Sequence, residues 1–177
     1  MENDIERVLL SRKEIDDQVV KIGKQISQDY AGTEPVFVGV LKGCFMFMAD
    51  LMRNITIDCS VDFMAVSSYQ GTNSTGAVNI NKDLSRDIGG KHVIIVEDIL
   101  DSGVTLNYLK SYLSVREPAS IKIVTLLDKP ARRKAEIYAD YHCFEVPDAF
   151  VVGYGLDYNE KYRNLPYIGI LKPEIYS

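Results

Sequence analysis

The stretch "VIIVEDILDSGVTL", from Val93 to Leu106, decides the fold. It begins with four β-branched apolar residues, the pattern of a strand that is buried on both faces in a parallel sheet. Three acids, Glu97, Asp98 and Asp101, then fall within five positions before a glycine-bearing turn and a helical pattern. This order of strand, acidic turn and helix predicts one βα unit of an α/β domain, with its chemistry at the carboxyl end of the strand.

The overall composition is that of an acidic globular protein. The 177 residues are 46% hydrophobic and 25% charged, which is enough to bury one full core and fits a single domain over residues 1–177. A formal net charge of -5 offers no general basic face for a nucleic-acid backbone. No run approaches the ~20 apolar residues that span a bilayer, so we expect no membrane partner. Three scattered cysteines fit reduced thiols in a cytoplasmic protein.

Helical and strand patterns alternate along the rest of the chain. Ser11 and Glu14 have capping-box spacing and open an amphipathic helix over residues 11–30. Further strands are predicted at 36–41, 59–69, 121–127 and 149–155, and further helices at 44–53 and 103–115. This order favours an α/β domain with a mainly parallel central sheet flanked by helices. Ligands bind beyond the carboxyl ends of such strands, which here lie at Leu41, Val96, Leu127 and Val152.

The acidic turn has the groups that a phosphorylated ribose needs. Adjacent carboxylates at Glu97 and Asp98 need partners, and the natural ones are a ribose diol or magnesium. Free amides at the following helix start, hydroxyls and a glycine together can bind one phosphate, and they belong to Asp101, Ser102, Gly103, Val104 and Thr105. The patterns GxxxxGK[ST] and GxGxxG are absent, which argues against a Walker loop and a dinucleotide site. A lone acid there usually caps the helix, but capping leaves the other groups unexplained.

The whole segment resembles the signature of the type I phosphoribosyltransferases. Nearly end to end, the chain is similar to the hypoxanthine-guanine phosphoribosyltransferases, especially their short bacterial form. The other matching segments are "LKG" at 41–43, "SSY" at 67–69, "LLDK" ending at Lys129, and "FVVGYGLDYNEKYRNLPYIGIL" at 150–171. The resemblance implies the type I phosphoribosyltransferase fold, with a small hood formed by N- and C-terminal segments and a mobile loop near residues 68–80.

The resemblance also implies a reaction in purine salvage. Ribose 5-phosphate would pass from phosphoribosyl pyrophosphate to N9 of hypoxanthine or guanine, giving IMP or GMP and pyrophosphate, with Mg²⁺ as cofactor. The implied partners are these donor and 6-oxopurine substrates and further copies of the chain, as a homodimer or homotetramer, with no nucleic acid and no membrane.

Individual residues receive roles from the same resemblance. Glu97 and Asp98 would bind the ribose hydroxyls, directly or through magnesium, and Asp101 would be the general base or acid at purine N7. Residues 101–105 would bind the 5-phosphate. Pyrophosphate would be bound by Leu41, Lys42, Gly43 and Arg163, and the family has a non-proline cis peptide between the first two of these.

The purine site and the lid are assigned in the same way. Lys129 would donate to the 6-oxo group, Phe150 would stack on the base, and Val151 and Asp157 would contact the edge of the base near position 2. Magnesium would be bound by Glu97, Asp98 and Asp157. Ser68 and Tyr69 would begin a lid that closes over the reacting centre. The two histidines receive no role.

Two alternatives are left open. A non-catalytic regulator of the same fold would sense phosphoribosyl pyrophosphate, but such regulators append a DNA-binding segment, for which this chain has neither room nor a basic face. An enzyme with the same donor but another base is the second alternative. Lys129 has only donors and argues against adenine, whereas xanthine shares the 6-oxo group, so a xanthine-preferring enzyme is not excluded.

Overall fold

The protein is described from a computed structural model, in which residues 1–68 and 78–177 are placed. In chain order its helices and strands are β1 (Ile5–Leu10), α1 (Arg12–Asp29), β2 (Val36–Leu41), α2 (Phe45–Met52), β3 (Ser60–Ser68), β4 (Val78–Lys82), β5 (His92–Leu100), α3 (Val104–Ser114), β6 (Ser120–Asp128), β7 (Tyr141–Glu145), β8 (Val151–Val152), β9 (Ile168–Leu171) and α4 (Pro173–Tyr176).

A six-stranded central sheet organises the described residues. Its strand order is β4-β3-β2-β5-β6-β7. Neighbouring strands are parallel from β3 to β7, and only β4 runs antiparallel to its neighbour β3. The predicted α/β fold with a mainly parallel sheet is thus confirmed. The carboxyl ends of β2, β5 and β6 consequently meet along one edge of the sheet.

Helices bury both faces of this sheet. The predicted capping box is present. The Ser11 side chain accepts a hydrogen bond from the Glu14 amide, and the Glu14 carboxylate accepts one from the Ser11 amide. α1 and α2 pack their apolar sides on one face of the sheet, and α3 packs on the other. Successive strand residues point to opposite faces, which explains why the β2 and β5 runs are continuously apolar. None of the described helices is both long and apolar enough to cross a membrane.

A second, antiparallel sheet has the order β1-β9-β8. Its strands come from the N-terminal segment and the last 27 residues of the chain, so the predicted hood from both ends is confirmed. Val152 of β8 and Leu171 of β9 are fully buried and cluster with Tyr162 and Leu165.

The structure corrects several predicted strand boundaries. β5 continues to Leu100 because β6 pairs with it that far, so Glu97 and Asp98 lie inside the strand and not after it. The predicted strand at 149–155 is reduced to two residues and belongs to the hood, because Gly153 and Gly155 have φ of 99° and 103° and end it. The sequence patterns did not predict β1, β7 or β9.

One face of β3 is covered by the rest of the protein. The alternation of Val61 and Phe63 indicated a strand, and the buried residues of that strand are their neighbours Asp62 and Met64, at 6% and 0% exposure. Val61 is 39% exposed and borders an apolar groove next to α2. Alternation predicts that a strand has two faces, and the helices packed against the sheet decide which one is covered.

Candidate active site

Two adjoining clefts lie at the carboxyl ends of the central strands. The larger, of about 440 Å³, is bordered by residues from the ends of β5, β6 and β8, among them Lys129, Phe150 and Asp157. The smaller, of about 120 Å³, is bordered by Glu97 and by the turn from Leu100 to Leu106. Ile99 and Asp101 border both clefts. The Asp101 carboxylate therefore lies where a ligand in one cleft would meet a ligand in the other.

The floor of the smaller cleft is the amino-terminal end of α3. Gly103 precedes the helix with φ of 77°, and a Cβ at this position would press on Ile137, so glycine is required on two counts. The first turn of α3 contains no acidic side chain. The Val104 amide donates to Ser102 Oγ at 3.4 Å, and the positive dipole end of the helix faces the turn 101–105, to which the sequence assigns an anion.

Arg133 holds the main chain of this turn through hydrogen bonds. Its Nε donates to the Asp101 carbonyl at 3.1 Å, its Nη1 donates to the Ile137 carbonyl at 2.7 Å, and it pairs with the Asp128 carboxylate. The Ala135 amide also donates to the Ser102 carbonyl at 3.1 Å. The residues after β6 thus fix the main chain of the turn. Sequence reasoning missed Arg133, because an arginine in a polar loop has no pattern that distinguishes it from a solvated one.

The carboxylates of Glu97 and Asp98 lie side by side and partly buried. Desolvation, and then the neighbouring Asp98 charge, raise the pKa of Glu97 well above its usual range. Desolvation also raises the pKa of Asp98, although the Ile99 amide at 2.7 Å and the Arg163 guanidinium oppose this. The pair is therefore electrostatically unfavourable as two anions and favours a ligand that brings positive charge or hydroxyl donors.

The loop after β2 touches this acidic pair. The peptide bond between Leu41 and Lys42 is cis, as the resemblance implied. A Cβ at Gly43 would overlap the Asp98 carboxylate, and a Cβ at Gly155 would overlap the Gly43 carbonyl. Gly43 thus lies in close contact with the acid on one side and with the hood connection on the other.

Arg163 and Lys42 bring positive charge to the same corner. Arg163 donates to the Gly155 carbonyl at 2.7 Å and lies 3.0 Å from Asp157 and 3.2 Å from Glu160. Lys42 lies 3.0 Å from the same Glu160. The structure therefore brings together the two basic residues that were predicted to bind pyrophosphate, with Asp157 beside them.

The larger cleft has a donor at one end and aromatic rings at the other. Lys129 is 5% exposed and donates to the Ala149 carbonyl at 2.9 Å. Phe150 is 36% exposed and stacks on Tyr176, with ring centroids 4.7 Å apart. The Val151 backbone, at the start of β8, completes this wall. Tyr176 was missed, because a tyrosine near the end of a chain has no local signal.

The predicted lid residues are only partly described. Ser68 is the last residue of β3. Tyr69 and most of the predicted mobile loop lie outside the described residues, which resume at Val78.

A metal ion could be held here together with ligand oxygens. Over residues 1–68 and 78–177, no three His, Cys, Asp or Glu side chains gather into a site made by protein alone. Magnesium is usually bound by one or two carboxylates plus waters and substrate phosphates. Burial raises the pKa of both Glu97 and Asp98, and a cation beside these two adjacent carboxylates would stabilise their charged forms, so this pair fits such an ion.

Comparison with known proteins gives one consistent result. A family model described as a phosphoribosyl transferase domain matches residues 9–159. The protein named hypoxanthine-guanine phosphoribosyltransferase in Streptococcus pneumoniae R6 is 56% identical, covering 100% of this chain and 99% of that protein. Its namesake in Bacillus subtilis 168 is 55% identical with the same coverage. A crystal structure of a hypoxanthine phosphoribosyltransferase from Staphylococcus aureus superimposes with a TM-score of 0.97 at 54% identity, covering 100% of this chain and 97% of that one.

Proposed function

This chain belongs to the phosphoribosyl transferase family, and we propose that it is a hypoxanthine-guanine phosphoribosyltransferase of purine salvage. It would transfer ribose 5-phosphate from phosphoribosyl pyrophosphate to N9 of hypoxanthine or guanine, releasing pyrophosphate. The observation that carries this proposal is the position of Asp101, which borders both the small cleft at the start of α3 and the large cleft with Lys129 and Phe150. A full-length relative at 56% identity supports the same activity.

The small cleft suits the phosphate and ribose of the donor. The amides at the start of α3 would bind the 5-phosphate, with the hydroxyls of Ser102 and Thr105 beside them. Glu97 and Asp98 would accept hydrogen bonds from the ribose hydroxyls. When the bond to pyrophosphate breaks, positive charge develops on the ribose ring, as in glycoside cleavage. The neighbouring carboxylates would stabilise that charge.

The residues around the carboxyl end of β2 suit the pyrophosphate leaving group. Lys42 and Arg163 supply positive charge, and the backbone of residues 41–43 supplies amide donors. Glu97, Asp98 and Asp157 would hold magnesium, and the ion would supply positive charge to the departing group. As the resemblance implies, Ser68 and Tyr69 would begin a lid that closes over the reacting centre.

The large cleft suits a 6-oxopurine. The Lys129 ammonium group has three hydrogen-bond donors. One donates to the Ala149 carbonyl, and another could donate to the 6-oxo group of the base. Phe150 would stack on the ring, while the backbone at Val151 and the residue Asp157 would contact its edge near position 2. Asp101 would hold or accept the proton at N7, because this residue borders both clefts.

Steady-state rates test the proposal directly. Phosphoribosyl pyrophosphate is supplied with hypoxanthine, guanine, xanthine or adenine, and nucleotide formation is followed with magnesium and again with excess chelator. We expect rapid use of hypoxanthine and guanine, weaker use of xanthine, and loss of all activity in chelator. A protein that forms no nucleotide from any of the four bases would refute the proposal, and a strong preference for xanthine would move the chain to the xanthine branch.

We further propose a homodimer or homotetramer, as the resemblance implies. An apolar groove of about 320 Å³ between α2 and β3 supports an interface, and it is bordered by Leu41, Phe45, Met48, Ala49, Met52, Val61 and Phe63. Phe45 and Val61 are each 39% exposed, so the groove presents a continuous apolar surface to the solvent. Sedimentation equilibrium checks this. Phe45→Lys should shift the protein toward monomer, and a monomeric unmutated protein would refute the assembly.

We also propose that residues 1–177 act as one domain in the cytoplasm. The hood closes with β1 from one end of the chain and β9 from the other, so its sheet cannot form without both. The free thiols of Cys44, Cys59 and Cys143 fit a reducing compartment. A single cooperative thermal transition, seen alike by circular dichroism and calorimetry, would check the first part.

A further inference from the structure

Four side chains of alternating charge form a row in the lining of the large cleft. Arg132 Nε lies 3.4 Å from Asp101 Oδ1, and Arg132 Nη1 lies 3.4 Å from Asp148 Oδ1. The same Asp148 oxygen is 4.0 Å from Lys129 Nζ. All four residues border the cleft, so the row connects the two groups at its ends, Asp101 and Lys129, through the two residues between them.

We propose that Arg132 and Asp148 are positioning residues that set the separation of Asp101 and Lys129. The inference rests on the proposed function, in which Asp101 acts at purine N7 and Lys129 acts at the neighbouring 6-oxo group. Those two atoms are a fixed distance apart on a rigid base. The two protein groups must therefore be held at a matching distance for both to engage at once.

Asp101 depends on Arg132 for the orientation of its side chain. Its Oδ1 is buried and has no hydrogen-bond partner among the described residues, so the Arg132 guanidinium is the charge that compensates it. The main chain of Asp101 is fixed separately, by the bond from Arg133 to its carbonyl. Arg133 therefore fixes where Asp101 is, and Arg132 fixes where its carboxylate points. The contact uses Oδ1 and leaves Oδ2 for the substrate.

The guanidinium shape matters for this role. Arg132 contacts two carboxylates through two different nitrogens, and the planar guanidinium group can make both contacts at the same time. The single ammonium of a lysine would contact one carboxylate at a time. The contacts are also half exposed, at 54% for Arg132 and 43% for Asp101, so they contribute little to the stability of the fold. Their effect should appear in turnover and not in the melting temperature.

The first test compares Arg132→Gln with Lys134→Gln, which removes the same charge from an exposed position in the same loop. We expect Arg132→Gln to lower kcat by about three- to tenfold, because ion pairs of this kind are worth no more than that. The KM for phosphoribosyl pyrophosphate should change by less than about twofold, since Arg132 contacts Asp101 only through its side chain while Arg133 fixes the main chain of the turn. Arg132→Lys should recover part of the loss, and Lys134→Gln should keep the unmutated kcat.

The second test is a double-mutant cycle with Asp101→Asn. If Arg132 acts through Asp101, Arg132→Gln should have no further effect on kcat in the Asp101→Asn background, whereas a purely structural role would lower kcat by the same factor in both backgrounds. Asp148→Asn should also lower kcat, by a smaller factor than Arg132→Gln. The loss of kcat in the double variant should be smaller than the product of the two single losses. Melting temperatures report that each variant is folded.

The outcomes separate the two levels of inference. An active unmutated protein whose Arg132→Gln variant keeps its kcat, or loses the same factor in the Asp101→Asn background, overturns this proposal alone. An unmutated protein that makes no nucleotide from hypoxanthine or guanine overturns the proposed function, and the positioning role with it.

Discussion

Gly43 and Asp98 lie in contact: a Cβ at Gly43 would occupy the position of the Asp98 carboxylate. The contact follows from the sheet, because β2 and β5 are neighbouring parallel strands and their carboxyl ends meet. It joins the loop proposed for pyrophosphate to the acids proposed for ribose. The two parts of the donor would therefore be held by groups that touch each other.

This contact predicts the effect of Gly43→Ala. The added methyl group must displace either the loop or the Asp98 carboxylate, and a shift of about 1 Å near reacting groups costs on the order of 10²-fold in rate. We expect kcat/KM for phosphoribosyl pyrophosphate to fall by about that factor in steady-state assays. The control is Gly89→Ala, because a Cβ there meets nothing nearer than 3.4 Å. Equal kcat/KM values for Gly43→Ala and Gly89→Ala would show that the reaction does not depend on the position of the Asp98 carboxylate.

Asp101→Asn should separate proton handling from donor binding. The change keeps the shape of the side chain and removes its basicity, so turnover should fall by ~10² to 10⁴-fold while donor affinity changes little. Single-turnover rates and calorimetric binding of phosphoribosyl pyrophosphate measure the two quantities. Near-normal turnover in this variant would remove Asp101 from its proposed role at N7.

Lys129 should decide which bases are used. Opposite the 6-amino group of adenine its ammonium would face another donor in a buried position, where it is only 5% exposed, so adenine should give essentially no product. Lys129→Met should lower kcat/KM on both hypoxanthine and guanine by about 10- to 100-fold, the worth of one charged hydrogen bond. Lys24→Met, on the exposed face of α1, is the control. Comparable use of adenine and hypoxanthine by the unmutated protein would contradict this assignment.

The ion pair of Asp83 should make a pH-dependent contribution to the stability of the fold. It follows β4 and pairs with Arg116 at the end of α3, and the Arg116 hydrogen bond lowers the pKa of Asp83 to about 2. Because this pKa is depressed, the contribution to stability is present above the unfolded value of about 3.9 and is lost as the pH falls toward 2. Asp83 is 39% exposed, so solvent screening limits the contribution to about 1 kcal/mol.

The measurement is the difference in melting temperature between the unmutated protein and Asp83→Asn. It should be constant from pH 7 to pH 5 and shrink as the pH is lowered from 4. The control is Asp17→Asn, whose carboxylate pairs with Lys13 on the exposed surface of α1 and should give a smaller difference. A difference that grows on acidification would have the wrong sign for a depressed pKa.

Local patterns were sufficient for the elements that build the centre of the molecule. The apolar run at 93–96, the acids after it and the helical pattern from Gly103 predict β5, the turn and α3 in their order along the chain. Ser11 and Glu14 predict the start of α1, three positions apart on one helix turn. These predictions hold because each depends on residues a few positions apart, whose spacing alone selects a strand, a cap or a helix face.

By itself, then, the sequence determined the type of the elements that surround the acidic turn, the parallel α/β class and the position of that turn near the carboxyl end of a strand. Tertiary structure decided the rest: that Glu97 and Asp98 lie within β5, that β8 joins the hood, and that Gly43 meets Asp98. It also brought Arg132 and Arg133 to opposite ends of Asp101, from a loop more than 30 positions away. The physical reason is that strand length, burial and ion pairing depend on what packs alongside, and those neighbours are distant in the chain.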